Sequence, residues 1–447
     1  MDDHAPSSTD DVTDSWDYRK GLLLAPMVRV NSLAFRTVCA EYGANMLYSE
    51  EIVAQSLSDA RRTENALLGT IDFTSPAERG GKVIFRTRPN ERVALQLGAA
   101  CAADAVRAAQ HAAADVRSVD LNMGCPVKFS TQGGMGSALL TDPERVRDIL
   151  TSLRRNLPPT LPVTAKIRLL ENFDDTLQLA KLIESCGVTA LAVHARRKHD
   201  RPRHWAQWDQ FKLLRSELPS TLPLVLNGDV FTPADVPRAL EATGADSLML
   251  ARGAMWNPSI FEVGRGGTMA TQAEVMGRYI QLVEETENPI GNAKHVAMLM
   301  LEGGGKTVPF QMFQRAQSYA DLRAAAAACA THPHFCQPGG QFLPAVLEPP
   351  PDMPHAPTLP INSWRAVPHF WKPMSAIPRG AKAAKKRAAG PPDRRSVGGG
   401  DASEGATVDV GGVAAAAADE SPETEGSASA TSRKRTIGEI AEGAPDS

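Results

Sequence analysis

Residues 120–138 read DLNMGCPVKFSTQGGMGSA. An apolar run, Ser118 to Leu121, stops at Asn122, and a Gly, a Cys and a Pro follow at once. A long polar loop rich in glycine comes next. The pattern is a buried strand that ends abruptly in a loop, with a thiol at its C-terminal end. Parallel α/β barrels place their chemistry at that end of their strands. Taken alone, Cys125 reads equally well as a small buried hydrophobe, the usual state of a free cysteine.

Outward from this strand the same unit repeats. Short apolar runs occur near 22–25, 45–49, 93–97, 117–121, 162–167, 189–193, 223–226 and 246–250. Helical periodicity fills most of the gaps, as in Leu177, Ala180, Leu182 and Ile183, or Val236, Ala239 and Leu240. Thr141-Asp142-Pro143-Glu144 and Thr232-Pro233-Ala234-Asp235 carry helix-start chemistry: a cap, a proline, then an acid. Eight strands alternating with helices over roughly 240 residues predict a TIM (β/α)8 barrel. A doubly wound sheet would want a G-x-G-x-x-G turn after its first strand. Here that strand ends in Ala25-Pro26-Met27, without glycine. Residues 69–92, with Val83-Ile84-Phe85 between polar flanks, lack a helical period and predict a hairpin inserted before the third strand.

The organisation follows from where this alternation starts and stops. Residues 1–20 are polar and acidic and read as disordered; 21–262 form the barrel. Residues 263–330 form a short helical domain, with Met276, Tyr279, Ile280 and Val283 at helical spacing and Gly303-Gly304-Gly305 as a break. Residues 331–447 are Pro-rich, then Ala/Gly/Ser-rich, and read as a disordered tail. The tail splits by charge: 365–395 hold nine Lys/Arg against one acid, and 401–447 hold ten acids against three bases. Lys382, Lys385, Lys386 and Arg387, with Arg433-Lys434-Arg435, read as nuclear-import signals, RNA tethers or simple solvated charge.

The net charge of −3 provides no global field for nucleic acid, so any RNA attraction must come from a local patch. Cysteines at 39, 101, 125, 186, 329 and 336 have no framework spacing, which predicts a reduced, cytoplasmic chain, with the nucleus as a second location if the basic segments are signals. No apolar run approaches a membrane span. Cys329, His332, His334 and Cys336 are too compressed for a usual zinc set, so no metal is expected.

Two turns point to an anion site. Asn227-Gly228-Asp229 and Ala251-Arg252-Gly253-Ala254 follow the seventh and eighth strands, where barrels commonly bind phosphate with backbone N–H groups. Each alone is an ordinary turn; together they favour phosphate. A second basic feature, Arg196-Arg197-Lys198-His199-Asp200-Arg201-Pro202-Arg203-His204, follows the sixth strand and reads as a mobile cationic loop at the catalytic face. Trp205 and Trp208 beside it either stack on a base or pack the loop, and packing is the commoner role.

NMGCP with STQGGMG resembles the tRNA-dihydrouridine synthases, nearest to the NAD(P)-dependent eukaryotic enzymes acting at position 20. LLLAPMVRV (22–30), KIR (166–168), AVHARR (192–197), LNGD (226–229) and ARGAMWNPSIF (251–261) extend the resemblance in order from Gly21 to Phe261. It implies an FMN cofactor reduced by NADPH or NADH, a tRNA partner, and a monomer working without metal. Its implied flavin contacts are Pro26, Met27, Val28, Gln96, Lys166 and His194, with Glu51 as a weaker carry-over. FMN phosphate would lie at Asn227, Gly228, Asp229, Ala251 and Arg252. Cys125 would protonate C5 of a uracil, which requires a thiol that stays protonated at pH 7. Asn122 and Arg168 would meet the uracil, and Arg196 and Arg197 the RNA. For Lys166 the competing surface reading is weakened by its apolar surroundings; for His194 the satisfied core histidine stays open. Animal relatives carry a double-stranded-RNA-binding domain after the bundle, and no such pattern is visible here. Two other readings also fit: an FMN barrel oxidoreductase on a free pyrimidine, of dihydroorotate-dehydrogenase type, and a non-catalytic RNA-binding relative.

Overall fold

A computed structural model describes residues 18–200, 204–301, 307–333 and 335–336. The N-terminal segment before Tyr18, three residues of the basic loop, the glycine break and almost all of the tail, including both basic clusters, lie outside them. Eight parallel strands run Leu22–Leu24, Met46–Tyr48, Val93–Gly98, Ser118–Asn122, Val163–Leu169, Ala190–Arg197, Leu224–Asn227 and Ser247–Leu250. The first strand pairs with both the second and the eighth, and the second with the third, so the sheet closes on itself. This is the TIM barrel expected from the alternating runs.

The two faces of each strand are chemically distinct, because successive side chains point to opposite sides of a strand. In the fifth strand Val163, Ala165 and Ile167 are buried in the shell between barrel and helices. Thr164, Lys166 and Arg168 share the other, inner face. Leu23, Met46, Ala94, Ala190, Ala192, Val225 and Met249 fill the interior from other strands, with Tyr18 and Tyr48 buried among them. Alanines facing tyrosines fill the taper, and the result is a packed plug below an open mouth.

Asp142 caps the helix Pro143–Asn156 by accepting from the Arg145 N–H, as the sequence predicts. The second predicted start differs. The helix begins at Asp235, and its own carboxylate accepts from the Phe231 and Thr232 N–H groups. The acid ties down the preceding turn, and the Thr232 hydroxyl donates to it at 3.1 Å.

The insertion is larger than a hairpin. It is a three-stranded antiparallel sheet of Arg61–Asn65, Thr70–Thr74 and Val83–Thr87. Its first strand, RRTEN, is almost wholly exposed, so it has no hydrophobic alternation to betray it. Arg36, 2% exposed, anchors the insertion to the barrel shell by pairing with Glu91 at 2.7 Å and donating to the Arg86 carbonyl. After the barrel come helices Gln272–Glu285, Ile290–Met300, Val308–Arg315 and Tyr319–Ala330. The first packs on helix Leu33–Glu41, with Phe35 and Tyr279 edge to face at 6.2 Å. Asn292 donates to the Arg29 carbonyl at 2.7 Å, which brings the helical segment to the loop after the first strand, at the mouth. Among the described residues no helix is long and apolar enough to cross a membrane, and no group of three His, Cys, Asp or Glu side chains is placed to hold a metal ion. Cys329 is buried and Cys336 exposed; His334, between them, lies outside the described residues.

Candidate active site

The mouth is built by continuing the inner faces upward. Gln96, Asn122, Lys166, Arg168, His194 and Asn227 come from the third, fourth, fifth, sixth and seventh strands. Register aligns Asn122 with Lys166, Arg168 with His194, and His194 with Asn227. The fifth and sixth strands run further than the apolar pattern indicates, so Lys166 and His194 sit within them rather than at their ends. Below this tier lies Asp120, fully buried, accepting from Gln96 Nε2 at 2.8 Å and Thr164 Oγ1 at 2.6 Å. Burial raises the Asp120 carboxyl to about 6. One Gln96 amide N–H is thereby committed, which fixes the orientation of the carboxamide.

Lys166 is 8% exposed, and its ammonium makes no hydrogen bond or ion pair with the described residues. Burial, then Arg168 nearby, brings its ammonium down from 10.5 to about 8. The unfolded chain therefore binds a proton between about pH 8 and 10.5 that the folded ligand-free chain does not. Folding stability is expected to rise with pH across that window, and the rise should be absent in Lys166→Met. Urea unfolding of both proteins at several pH values measures it; parallel curves would show that Lys166 keeps its charge.

Cys125 is held by neighbours from several strands. Asn122 Oδ1 accepts from the Gly124 and Cys125 N–H groups at 2.9 and 3.1 Å, which closes the turn and leaves Nδ2 toward the mouth. Arg168 Nε donates to the Gly124 carbonyl at 2.7 Å. Ser137 N–H donates to the Cys125 carbonyl at 2.9 Å. Gly136 makes that return possible: its φ is +57°, and a Cβ there would stand 2.7 Å from the Cys125 oxygen and 2.5 Å from Ser130 Oγ. Burial, and then Glu51, push the thiol up to about 11. The group is thus a protonated acid at neutral pH, not an activated nucleophile. The helix after it, Lys128–Gln132, is a single short turn that the sequence pattern did not reveal.

Across the mouth, Asp229 organises the cations. Its carboxylate pairs with Arg196 and, at 2.7 Å, with Arg252, and it accepts from the Ala206 N–H at 2.7 Å. Arg196 is not part of a mobile rim. It is 3% exposed, donates Nε to the His204 carbonyl at 2.8 Å, and lies 3.2 Å from His194 Nε2. The reason is the strand's length: Arg196 falls on the same inward face as His194, two residues on. Arg197 is half-buried, whereas Lys198 and His199 are exposed; Arg201 and Arg203 lie outside the described residues. Burial and four neighbouring cations hold His194 well below its usual pKa, so it is a neutral imidazole. Arg252 lies 4.7 Å over the Phe231 ring, which stacks on Trp256 at 5.2 Å. Trp205 is buried in that aromatic cluster and Trp208 in the main core, so both pack.

The turns after the sixth, seventh and eighth strands border an open cleft lined among others by Arg168, His194, Asn227, Phe231, Ala251 and Arg252; Gln96, Asn122, Cys125 and Lys166 do not line it. Cations exceed the nearby carboxylates Asp200 and Asp229, and one buried ammonium lacks a partner. Such a donor set fits an anionic, phosphate-bearing cofactor of the FMN kind. Gly228 (φ +130°) permits the close approach of the strand-seven turn, where a Cβ would stand 2.9 Å from Ala206. Pro26 and Met27 are half-buried and Val28 is exposed on the loop after the first strand. Glu51, implied as a cofactor contact, accepts from Ser130 Oγ at 2.9 Å, on the side of the mouth that carries the Cys125 loop. Asp120, Thr164, Ser130, Asp200 and Phe231 were missed. Asp120 and Thr164 could have been found by continuing the period-two alternation down from Asn122 and Lys166; the others carry no local signal.

A parallel barrel whose mouth combines a shielded thiol with a cationic, partly unpartnered lining defines a class: an enzyme-like (β/α)8 barrel with an anion-binding cleft. A family model described as dihydrouridine synthase matches residues 23–331, and the chain belongs to that family. It is 34% identical over 317 residues to the tRNA-dihydrouridine(20) synthase (NAD(P)+) of Schizosaccharomyces pombe, covering 69% of this chain and 65% of the relative. The protein of the same description from Saccharomyces cerevisiae is 33% identical over 316 residues, covering 67% of this chain and 82% of the relative. The tRNA-dihydrouridine synthase B of Pseudomonas syringae pv. tomato is 34% identical over 244 residues, covering 54% and 66%. The chain thus spans just under two thirds of the fission-yeast relative's length.

Proposed function

We propose that this protein reduces a uridine of tRNA to 5,6-dihydrouridine, at position 20 of the D-loop. The observation that carries the reading is Cys125: a protonated thiol fixed at the mouth, facing the cationic inner tier. The relatives' names support the substrate. FMN bound at the mouth and reduced by NADPH or NADH would supply the hydride to C6. Lys166, His194 and the Gln96 carbonyl would line its ring, and Asn227, Gly228 and Arg252 its phosphate.

The chain's own groups do the rest. Cys125 donates its proton to C5 as negative charge develops there. Asn122, with Oδ1 committed to the Cys125 turn, offers Nδ2 to a uracil oxygen. Arg168, fixed by Nε to the Gly124 carbonyl and by Nη1 to the Arg197 carbonyl, would present Nη2 beside it. Burial brings Arg168 down to about 10, so it stays cationic at neutral pH. A uridine in folded tRNA must leave its stack to enter such a cleft.

The test is NADPH oxidation by flavin-loaded protein, with and without unmodified tRNA, followed by mass spectrometry of the nucleosides. Dihydrouridine in tRNA is expected. Reduction of free uracil or orotate without tRNA would favour a small-molecule barrel, and bound flavin that NADPH cannot reduce would favour a non-catalytic relative. Binding should also be strongly salt-dependent despite the acidic net charge. Each phosphate neutralised adds roughly 0.7–0.9 to the slope of log K against log salt. Replacing Arg197 and Lys198 with alanine is expected to flatten that slope while NADPH reduction of the flavin stays unchanged. An unaltered slope would move the RNA contact elsewhere, the tail segment 365–395 included.

A further inference from the structure

Glu51 follows the second strand, is 8% exposed, and faces the loop that carries Cys125. Its Oε1 accepts from Ser130 Oγ at 2.9 Å. Its Oε2 is buried and takes no hydrogen bond from the described residues. Gly98 lies directly behind it, where a Cβ would stand 2.7 Å from Oε1, so the carboxylate is pressed into place. Gly136 brings Ser130 Oγ and Cys125 Cβ together on the other side. Ser130, which donates to Glu51, and Cys125 thus meet at one point: a Cβ on Gly136 would stand 2.5 Å from Ser130 Oγ and 3.0 Å from Cys125 Cβ. A buried carboxylate oxygen without a donor, beside a thiol whose proton is its function, is an arrangement that packing alone would not favour.

We propose that Glu51 is a positioning residue for Cys125: its carboxylate receives the thiol proton in a hydrogen bond, aims it, and keeps the sulfur from ionising. The role rests on the reading of Cys125 as the proton donor to C5. In each turnover the S–H bond breaks as the C5–H bond forms, and the thiolate left behind takes a proton from water. A carboxylate next to that sulfur makes the thiolate costly: it holds the proton on sulfur until charge develops at C5, and it speeds reprotonation afterwards. It also keeps the resting sulfur from reacting as a nucleophile.

The charges facing the thiol are Glu51 from the loop after the second strand and Lys166 and Arg168 from the fifth. The cations favour thiolate and Glu51 opposes it. Removing the Glu51 charge should therefore lower the thiol from about 11, whereas removing the Ser130 hydroxyl, which donates to Glu51 and leaves that charge in place, should not.

The experiment is iodoacetamide alkylation of Cys125 in the full-length protein from pH 7 to 11, read by peptide mass spectrometry, with no tRNA present. Each unit of fall in the thiol's pKa raises its thiolate fraction, and hence the rate at pH 8, about tenfold. Glu51→Gln is expected to shift the profile to lower pH by at least one such unit. Glu51→Asp should restore part of the shift, and Ser130→Ala should leave the profile in place or move it upward. An unchanged midpoint in Glu51→Gln overturns the proposal. So does an equal rise at every pH in Glu51→Gln and Ser130→Ala, which would mean a loosened loop. Because the titration needs no turnover, it separates this role from the reaction itself. A wild-type protein that forms no dihydrouridine while Glu51→Gln shifts the thiol would refute the reaction and leave the carboxylate's hold on the sulfur standing.

Discussion

Replacing Cys125 with alanine is expected to slow dihydrouridine formation about 10²–10⁴-fold while flavin binding and its reduction by NADPH persist. The split follows from geometry. The thiol lies on the fourth-strand loop, fixed by Asn122 and Ser137, while the phosphate-binding candidates lie on the seventh and eighth strand turns. Deleting the sulfur leaves the Asn122 and Arg168 hydrogen bonds intact, since both are made to backbone. Separate assays of NADPH oxidation under air and of nucleoside composition read the two half-reactions. Full turnover on tRNA by the alanine variant would remove Cys125 from the chemistry.

The second large effect concerns stability. Asp229→Ala is expected to cost about 3–5 kcal/mol in urea unfolding, because it leaves buried Arg196 without its counter-ion. Arg196 is 3% exposed, and Arg252 loses a partner at 2.7 Å in the same step. The Ala206 N–H is orphaned as well. A loss below about 1 kcal/mol would show that water or a rearranged His194 takes the carboxylate's place. The variant should also bind FMN poorly, since both guanidinium groups would be free to move.

The barrel was legible in the chain because eight apolar runs recur with helices between them, and each run marks a strand that must be buried. The mouth was legible for a related reason: Lys166 is a polar residue inside an apolar run, Asn122 and His194 end theirs, and period two puts them inward. What escaped was set by contacts distant in sequence. Asp229 neutralises Arg196 from 33 residues away, so a run that reads as a solvated loop has its first arginine buried. Glu51 meets Ser130 across 79 residues, and nothing near Glu51 marks it as a neighbour of the thiol. The strand Arg61–Asn65 escaped because an exposed edge strand has no apolar face to register. The resemblance supplied the identities of most mouth residues, but local spacing could not show that Glu51 neighbours Ser130.

The loop that bears Cys125 draws its support from Asn122 below, Arg168 beside it and Glu51 across from it, all fixed by the closed barrel. On the proposed reading, the rim that would meet the body of the tRNA is made of other pieces: the end of the sixth strand, the loop after the first, and the appended helices. Capture of the tRNA and the chemistry would then occupy separable parts of one chain. Substitutions accumulating at the rim can retune which nucleotide is admitted without disturbing the acid, so a lineage could change its target position while inheriting the reaction unaltered.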